Sequence, residues 1–251
     1  MDRQTAYLLR SHKVDVLLED DSVLVLSKPA GLLVLPDRYD KSVPNLLRML
    51  TAYDMPVWVV HRLDRDTSGV IVFARTAEVH ADLNAQFEGR EVEKHYVAIC
   101  RGTPEKDEGL IDLPLGPHRH VEGRTVVDRK EGKDSVTNYR VSERFDGHVA
   151  VEAHPRTART HQIRVHLAER GMPIVADPLY GDGKPFFLSR IKRGFREGLE
   201  PEKPLLARTA LHVLSVTFRH PHTSVPCTVK APLPKDLRSV LQALRKYAPS
   251  R

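Results

Sequence analysis

The stretch PVWVVHRLDRDTSGVIVFAR, Pro56–Arg75, sets two short apolar runs on either side of a polar segment, His61–Gly69. Runs this short, rich in Val, Ile and aromatic residues, read as buried strands rather than helices. The polar segment between them is then a turn at the rim of a core, where a rigid scaffold presents chemistry. Within it Asp64 stands between Arg62 and Arg65, a setting for a carboxylate that accepts or attacks rather than donates a proton. Asp66, Thr67 and Ser68 have the composition of a tight turn whose side chains bond to nearby backbone.

Outward from this segment the pattern is one of short strands with a few helices. Upstream, VDVLLEDD and SVLVLSKPAGLLVLP are apolar runs divided by an acidic turn and by Pro29-Ala30-Gly31. Downstream, Thr76 caps a helix with Val79, Leu83 and Phe87 on one face and Gly89 just past its end. EVEKHYVAICRG alternates, with Val92, Lys94, Tyr96, Ala98 and Cys100 on one side, so Tyr96 is a strand residue. SVTNYRVSERF and HVAVEAH form a hairpin about Asp146-Gly147, followed by a helix from near Thr160 to just before Gly171. ALHVLSVTFRH and PCTVKAPLP read as a last hairpin. PKDLRSVLQALRKYA closes the chain as an amphipathic helix with Leu237, Val240, Leu241 and Leu244 on one face. The expected fold is α+β: a mixed, largely antiparallel β-sheet core flanked by helices and loops.

The chain has 251 residues, 41% hydrophobic and 29% charged. No repeats or shifts of composition divide it, and it reads as one domain, 1–251, with its core at about 14–234. No apolar stretch reaches the roughly 18 residues a membrane helix needs, and Met1–Ser11 lacks the apolar segment of a signal peptide. A cytoplasmic location is expected. Cys100 and Cys227 stand far apart without a metal-ligand spacing, so they read as reduced thiols. The net charge of +6 fits a polyanionic partner. The cations gather in three Gly- or Pro-containing stretches: Pro117–Lys133, Pro155–Arg164 and Gly183–Gly198.

THQIRVHLAERG carries a second constellation. At about 100° per residue, Ile163, Val165, Leu167 and Ala168 span one arc, and Gln162, His166, Glu169 and Arg170 the other. Arg164 falls inside the apolar arc. Either its stem lies on the core while its head reaches solvent, or the guanidinium is desolvated and requires a carboxylate of matching fork geometry. We favour the second, with Asp64 as the expected partner. Tyr96 is either a packed strand tyrosine or a flat surface for an unstacked base. His154, His161 and His166 are seven and five residues apart, which places no two on one helix face as i, i+4 ligands; no metal site is expected.

With these pieces assembled, the chain resembles the RNA pseudouridine synthases of the RluA-like family. HRLDRDTSG followed by an apolar strand matches that family's signature segment. LSKPAGLLV, EKHYVAICRG, PRTARTHQIRVHLAERGMPIVADPLYG, ALHVLSVTFRHP and APLP follow the family's order from Val14 to Pro234. The family commonly has glycine where Ala158 stands and alanine where Val213 stands. Many relatives also carry an N-terminal RNA-binding domain, whereas about a dozen residues precede the first strand here, so RNA capture is expected to fall to the catalytic domain.

The resemblance implies a fold with a central RNA-binding cleft. It also implies an isomerisation in which uracil is cut from its ribose, turned and rejoined through carbon 5, with neither cofactor nor metal. Asp64 becomes the catalytic carboxylate, as nucleophile or as the base of a second route. Tyr96 becomes the stacking residue for the flipped base, and Arg164 the buried arginine paired with Asp64. Arg62 helps to extrude the nucleotide, and His61, Arg65 and Thr67 complete the expected substrate-binding set. The partner is ribosomal or transfer RNA, met by a monomer without a membrane. An RNA-binding protein of the same fold that has lost the reaction is the alternative.

Overall fold

The run GVIVFA is a strand buried along its whole length. A computed structural model describes residues 3–52 and 56–250. In chain order the elements are α1 (Arg3–Ser11), β1 (Asp15–Glu19), β2 (Val23–Lys28), α2 (Leu46–Thr51), β3 (Trp58–Val59), β4 (Ser68–Ala74), α3 (Ala77–Glu88), β5 (Glu93–Arg101), β6 (Glu108–Asp112), β7 (Leu115–Pro117), β8 (Thr125–Val127), β9 (Val136–Phe145), β10 (His148–Pro155), α4 (Gln162–Glu169), β11 (Leu211–Arg219), β12 (Pro226–Lys230) and α5 (Lys235–Tyr247). This is the α+β, largely antiparallel architecture expected. The chain divides into two compact units: Met1–Lys94 with Val213–Pro232, and His95–His212 with Leu233–Arg251.

In the first unit β4 pairs with β2, which pairs with β1, both antiparallel. β11 borders β4, with β12 beyond it. Val23–Leu26 and Val70–Ala74 lie wholly inside, which explains their unbroken apolar runs: a strand covered on both faces has no polar side to alternate. Gly69 is required where β4 begins. Its φ is +118°, and a Cβ there would sit 2.2 Å from the Val213 carbonyl oxygen. That close approach is to the Val213 backbone. The first run, PVWVV, yields only the two-residue β3, half-buried, paired with Trp58 opposite Ala74. GLLVLP is not a strand either, contributing one parallel bridge from Leu33 to Asn45. Thr76 caps α3 as expected, accepting from the Val79 N–H. α1 and α2 were not expected; Asn45 caps α2 by accepting from Arg48 N–H.

In the second unit β5, β10, β9 and β6 form an antiparallel array. The β9–β10 hairpin turns at Gly147, whose φ is +68°. α5 buries Leu237, Val240, Leu241 and Leu244 in the core cluster; each adds about 2 kcal/mol of burial as an upper estimate. α4 corrects a reading from periodicity. Gln162 and His166, placed on its polar arc, are buried. Gln162 donates to the Val136 carbonyl and Thr137 Oγ1, and accepts from Thr157 Oγ1. His166 bonds to Thr137 Oγ1 and the Leu113 carbonyl. Uncharged polar side chains can enter a core when partners satisfy them, and only Glu169 leaves the helix surface exposed.

Candidate active site

The polar segment lies between β3 and β4, and its geometry is set mainly by backbone groups. Leu63 is buried and Thr67 N–H donates to the Asp64 carbonyl at 3.1 Å, closing a turn over residues 64–67. Gly31 N–H donates to the Arg65 carbonyl at 2.8 Å, and Arg65 Nε returns a bond to the Gly31 carbonyl at 3.2 Å. Beneath both turns lies Lys28, only 1% exposed. Its ammonium donates to the carbonyls of Pro29 (3.0 Å), Leu32 (2.7 Å) and Arg65 (3.0 Å). A buried cation is tolerable here because three N–H groups meet three carbonyl oxygens. Lys28 thus ties the Pro29–Leu32 turn to the loop that carries Asp64. Sequence reasoning missed it, although a lysine ending a strand of four fully buried residues was a visible signal.

Around this anchor Asp64 is half-buried, whereas Arg62 and Arg65 are exposed and Thr67 is 3% exposed. His61 has a structural part. Its Nε2 accepts the Val72 N–H at 2.9 Å and its ring stacks on Phe87 with centroids 4.8 Å apart. Burial, with the Lys94 charge adding to it, pushes the imidazole down to about 3, so it is neutral at physiological pH.

In the second unit, Tyr96 lies on β5 opposite Ala153, half-buried against the core cluster. Arg164 is desolvated, as its place in the apolar arc requires, at 6% exposed. The fork geometry is met by Asp177, which the sequence reading had not singled out. Arg164 Nε donates to Asp177 Oδ2 at 2.6 Å and Nη2 to Oδ1 at 2.8 Å. The Arg164 guanidinium also lies 5.1 Å from the Tyr180 ring centroid. Burial opposes ionisation of Asp177, but Arg164 and the N–H groups of Leu179 and Tyr180 overcome it and hold the carboxyl below its ordinary range. Tyr180 Oη accepts from Thr125 N–H and lies 2.9 Å from His161 Nδ1, fixing the ring in place. The signal for Asp177 was a lone carboxylate inside the apolar run MPIVADPLYG. Ala158 is exposed and is not among the described residues with positive φ, so alanine fits there without strain.

A half-buried aspartate on a backbone-anchored turn, and a desolvated arginine and a strand tyrosine in the second unit, are where the structure places the three residues expected to carry chemistry. The profile of the RNA pseudouridylate synthase family matches residues 22–169. The ribosomal large subunit pseudouridine synthase D of Xanthomonas campestris is 39% identical over 251 residues, 98% of this chain and 74% of that protein. The protein of that name from Pseudomonas aeruginosa is 35% identical, covering 98% and 76%. Its Nitrosomonas europaea counterpart is 36% identical, and this chain spans 65% of it. Among solved structures, human RNA pseudouridylate synthase domain containing 4 aligns with a TM-score of 0.69 at 26% identity, over 96% of this chain and 95% of that one. The chain belongs to the RNA pseudouridylate synthase family. No helix among the described residues is long and apolar enough to cross a membrane.

Proposed function

We propose that this protein converts uridines of large-subunit ribosomal RNA to pseudouridine, with Asp64 as the catalytic carboxylate acting on a flipped-out nucleotide. The observation that carries the reading is the anchoring of the Asp64 turn by Lys28 and Gly31, which holds one carboxylate in place through main-chain bonds. The ribosomal substrate is suggested by the names of the relatives, and a transfer RNA is an outcome the mapping below distinguishes. In the reaction the bond from ribose C1′ to uracil N1 breaks and a bond from C1′ to C5 forms. The C5 proton is lost and N1 gains one, so mass is conserved. Tyr96 serves as the flat surface for the base, Arg164 acts on the Asp64 side chain, and Arg62 takes part in extruding the nucleotide, with His61, Arg65 and Thr67 shaping the substrate side. A uridine inside a helix must leave its stack before these groups can reach its sugar carbon.

RNA capture falls to the second unit in this reading. Its residues carry 25 Lys and Arg against 18 Asp and Glu, and those of the first carry 14 against 15. Arg119, Arg129, Lys130, Arg156, Arg159, Lys184, Arg193 and Arg196 are exposed, the placement expected of groups that neutralise phosphates. The test is to map pseudouridines in ribosomal and transfer RNA from cells carrying the wild-type gene, no gene, or Asp64→Asn. Loss of specific large-subunit sites in the last two, with normal folding of the variant, is expected. Sites that persist in Asp64→Asn overturn the catalytic assignment, and sites lost only from transfer RNA overturn the substrate.

A further inference from the structure

The histidine spacing that argued against a metal site considered one helix at a time, and His154 finds its partner on a neighbouring strand instead. Continuing the β5–β10 register one residue past Ala153 opposite Tyr96 sets His154 opposite His95. Their rings stack with centroids 4.5 Å apart and 19° between planes. Glu152, two residues along β10 and so on the same face, brings Oε2 to 3.8 Å from His95 Nε2. One ligand atom from each of the three lies within 4.8 Å of the others.

We propose that His95, Glu152 and His154 form a binding site for a divalent transition-metal ion, with Zn2+ as its probe. Two imidazoles and one carboxylate suit such an ion better than Mg2+ or Ca2+, which prefer all-oxygen shells. Ligands at 2.0–2.1 Å from zinc stand roughly 3.3 Å apart at the corners of a tetrahedron, so each atom has to move by about an ångström. The movement is available to His154, which is exposed, and leaves a fourth position open to water. Arg140 is the local competitor: its Nη2 donates to Glu152 Oε2 at 2.6 Å, from a side chain that is 62% exposed. The ion would join β5 to β10 across their ladder. It would sit on the face of β5 opposite Tyr96, since neighbouring strand residues point to opposite sides. No part of the proposed isomerisation requires it.

The experiment uses the full chain, stripped with a chelator and titrated with Co2+ by visible absorption and with Zn2+ by calorimetry, Mg2+ serving as control. One equivalent of Co2+ and Zn2+ should bind saturably, and Mg2+ should not. His154→Gln, a change at an exposed position, and His95→Gln should each weaken binding by about tenfold or more. Arg140→Gln, which removes the cation competing for the carboxylate, should bind at least as tightly as wild type. Zn2+ should raise the melting temperature of wild type and not of His154→Gln. Absence of saturable binding, or binding by both histidine variants as tight as that of wild type, overturns the proposal and leaves a stacked imidazole pair only. Because every readout is binding, the result is independent of whether Asp64 is catalytic.

Discussion

Asp177→Asn is the most informative single change in the second unit. The substitution keeps the shape of the side chain and one acceptor oxygen, but removes the Asp177 charge that forks onto the Arg164 guanidinium, which is buried at 6% exposure. Removing one partner of a buried pair costs about 3–5 kcal/mol, and the retained acceptor puts this case near about 3 kcal/mol. At ~2–4 °C per kcal/mol for a chain of this size, the melting temperature should fall by about 10 °C. Far-UV circular dichroism during a thermal ramp at pH 7 measures it. The double variant Arg164→Met/Asp177→Leu should regain most of the lost stability, because an apolar pair of similar volume removes both desolvation penalties. It should regain no pseudouridine formation if Arg164 serves Asp64. The acid side adds a sign test. A carboxyl held below its ordinary range stabilises the fold above its unfolded-state pKa and loses that contribution as pH falls through the folded one. The gap between wild type and Asp177→Asn should therefore be full at pH 7 and narrow only below about pH 4. A single variant that melts within about 2 °C of wild type at pH 7 refutes the argument that this pair is desolvated.

Three further outcomes follow from the first unit. Lys28→Met strands three carbonyl acceptors beneath the Asp64 turn, and should cost about 3 kcal/mol in a urea titration and lower kcat; unchanged values for both would discount the anchor. Gly69→Ala combines a φ of +118° with a Cβ 2.2 Å from a backbone oxygen, and should cost about 3–5 kcal/mol or abolish soluble yield, whereas Gly123→Ala, with open space around it, should cost about 1 kcal/mol. His61 is pushed down to about 3, so it contributes stability above its unfolded-state value near ~6.5 that is lost as pH falls towards 3. Between pH 7 and 5 wild type should lose about 1–2 kcal/mol more than His61→Gln in urea midpoints, and equal losses would show that the ring is solvated.

The elements that could be read from sequence are those whose local signal agrees with their surroundings. β4 is buried on both faces and shows no polar position; the β9–β10 hairpin has Gly147 where φ must be positive; α3 and α5 have a cap or a single apolar face. Reading failed where partners distant in sequence decide. Gln162 and His166 look like surface residues until Val136, Thr137 and Leu113 are brought beside them. Burial of Arg164 was legible because a cation in an apolar arc is conspicuous, yet its partner Asp177 was not, since a carboxylate 13 residues away carries no periodicity linking the two. Lys28 ends an apolar strand and needs three carbonyls that only the folded turns assemble. PVWVV shrank to two paired residues because apolar composition marks burial more reliably than it marks ladder hydrogen bonds.

The two polar groups proposed for the reaction, Arg164 and Asp64, are held by different means, and the difference bears on what mutagenesis can separate. Arg164 is fixed through its own side chain, so any change there moves stability, and any effect on the proposed reaction comes mixed with it. Asp64 sits on a turn whose bonds run through the Asp64 and Arg65 carbonyls, the Gly31 backbone and the Lys28 ammonium. Those bonds survive replacement of the Asp64 side chain, because an asparagine has the same backbone and nearly the same volume. Asp64→Asn should therefore keep the fold of the turn while losing the reaction, which circular dichroism and pseudouridine mapping read separately. The main chain around Asp64 carries the load of positioning its turn, and that load is unchanged when the side chain is replaced.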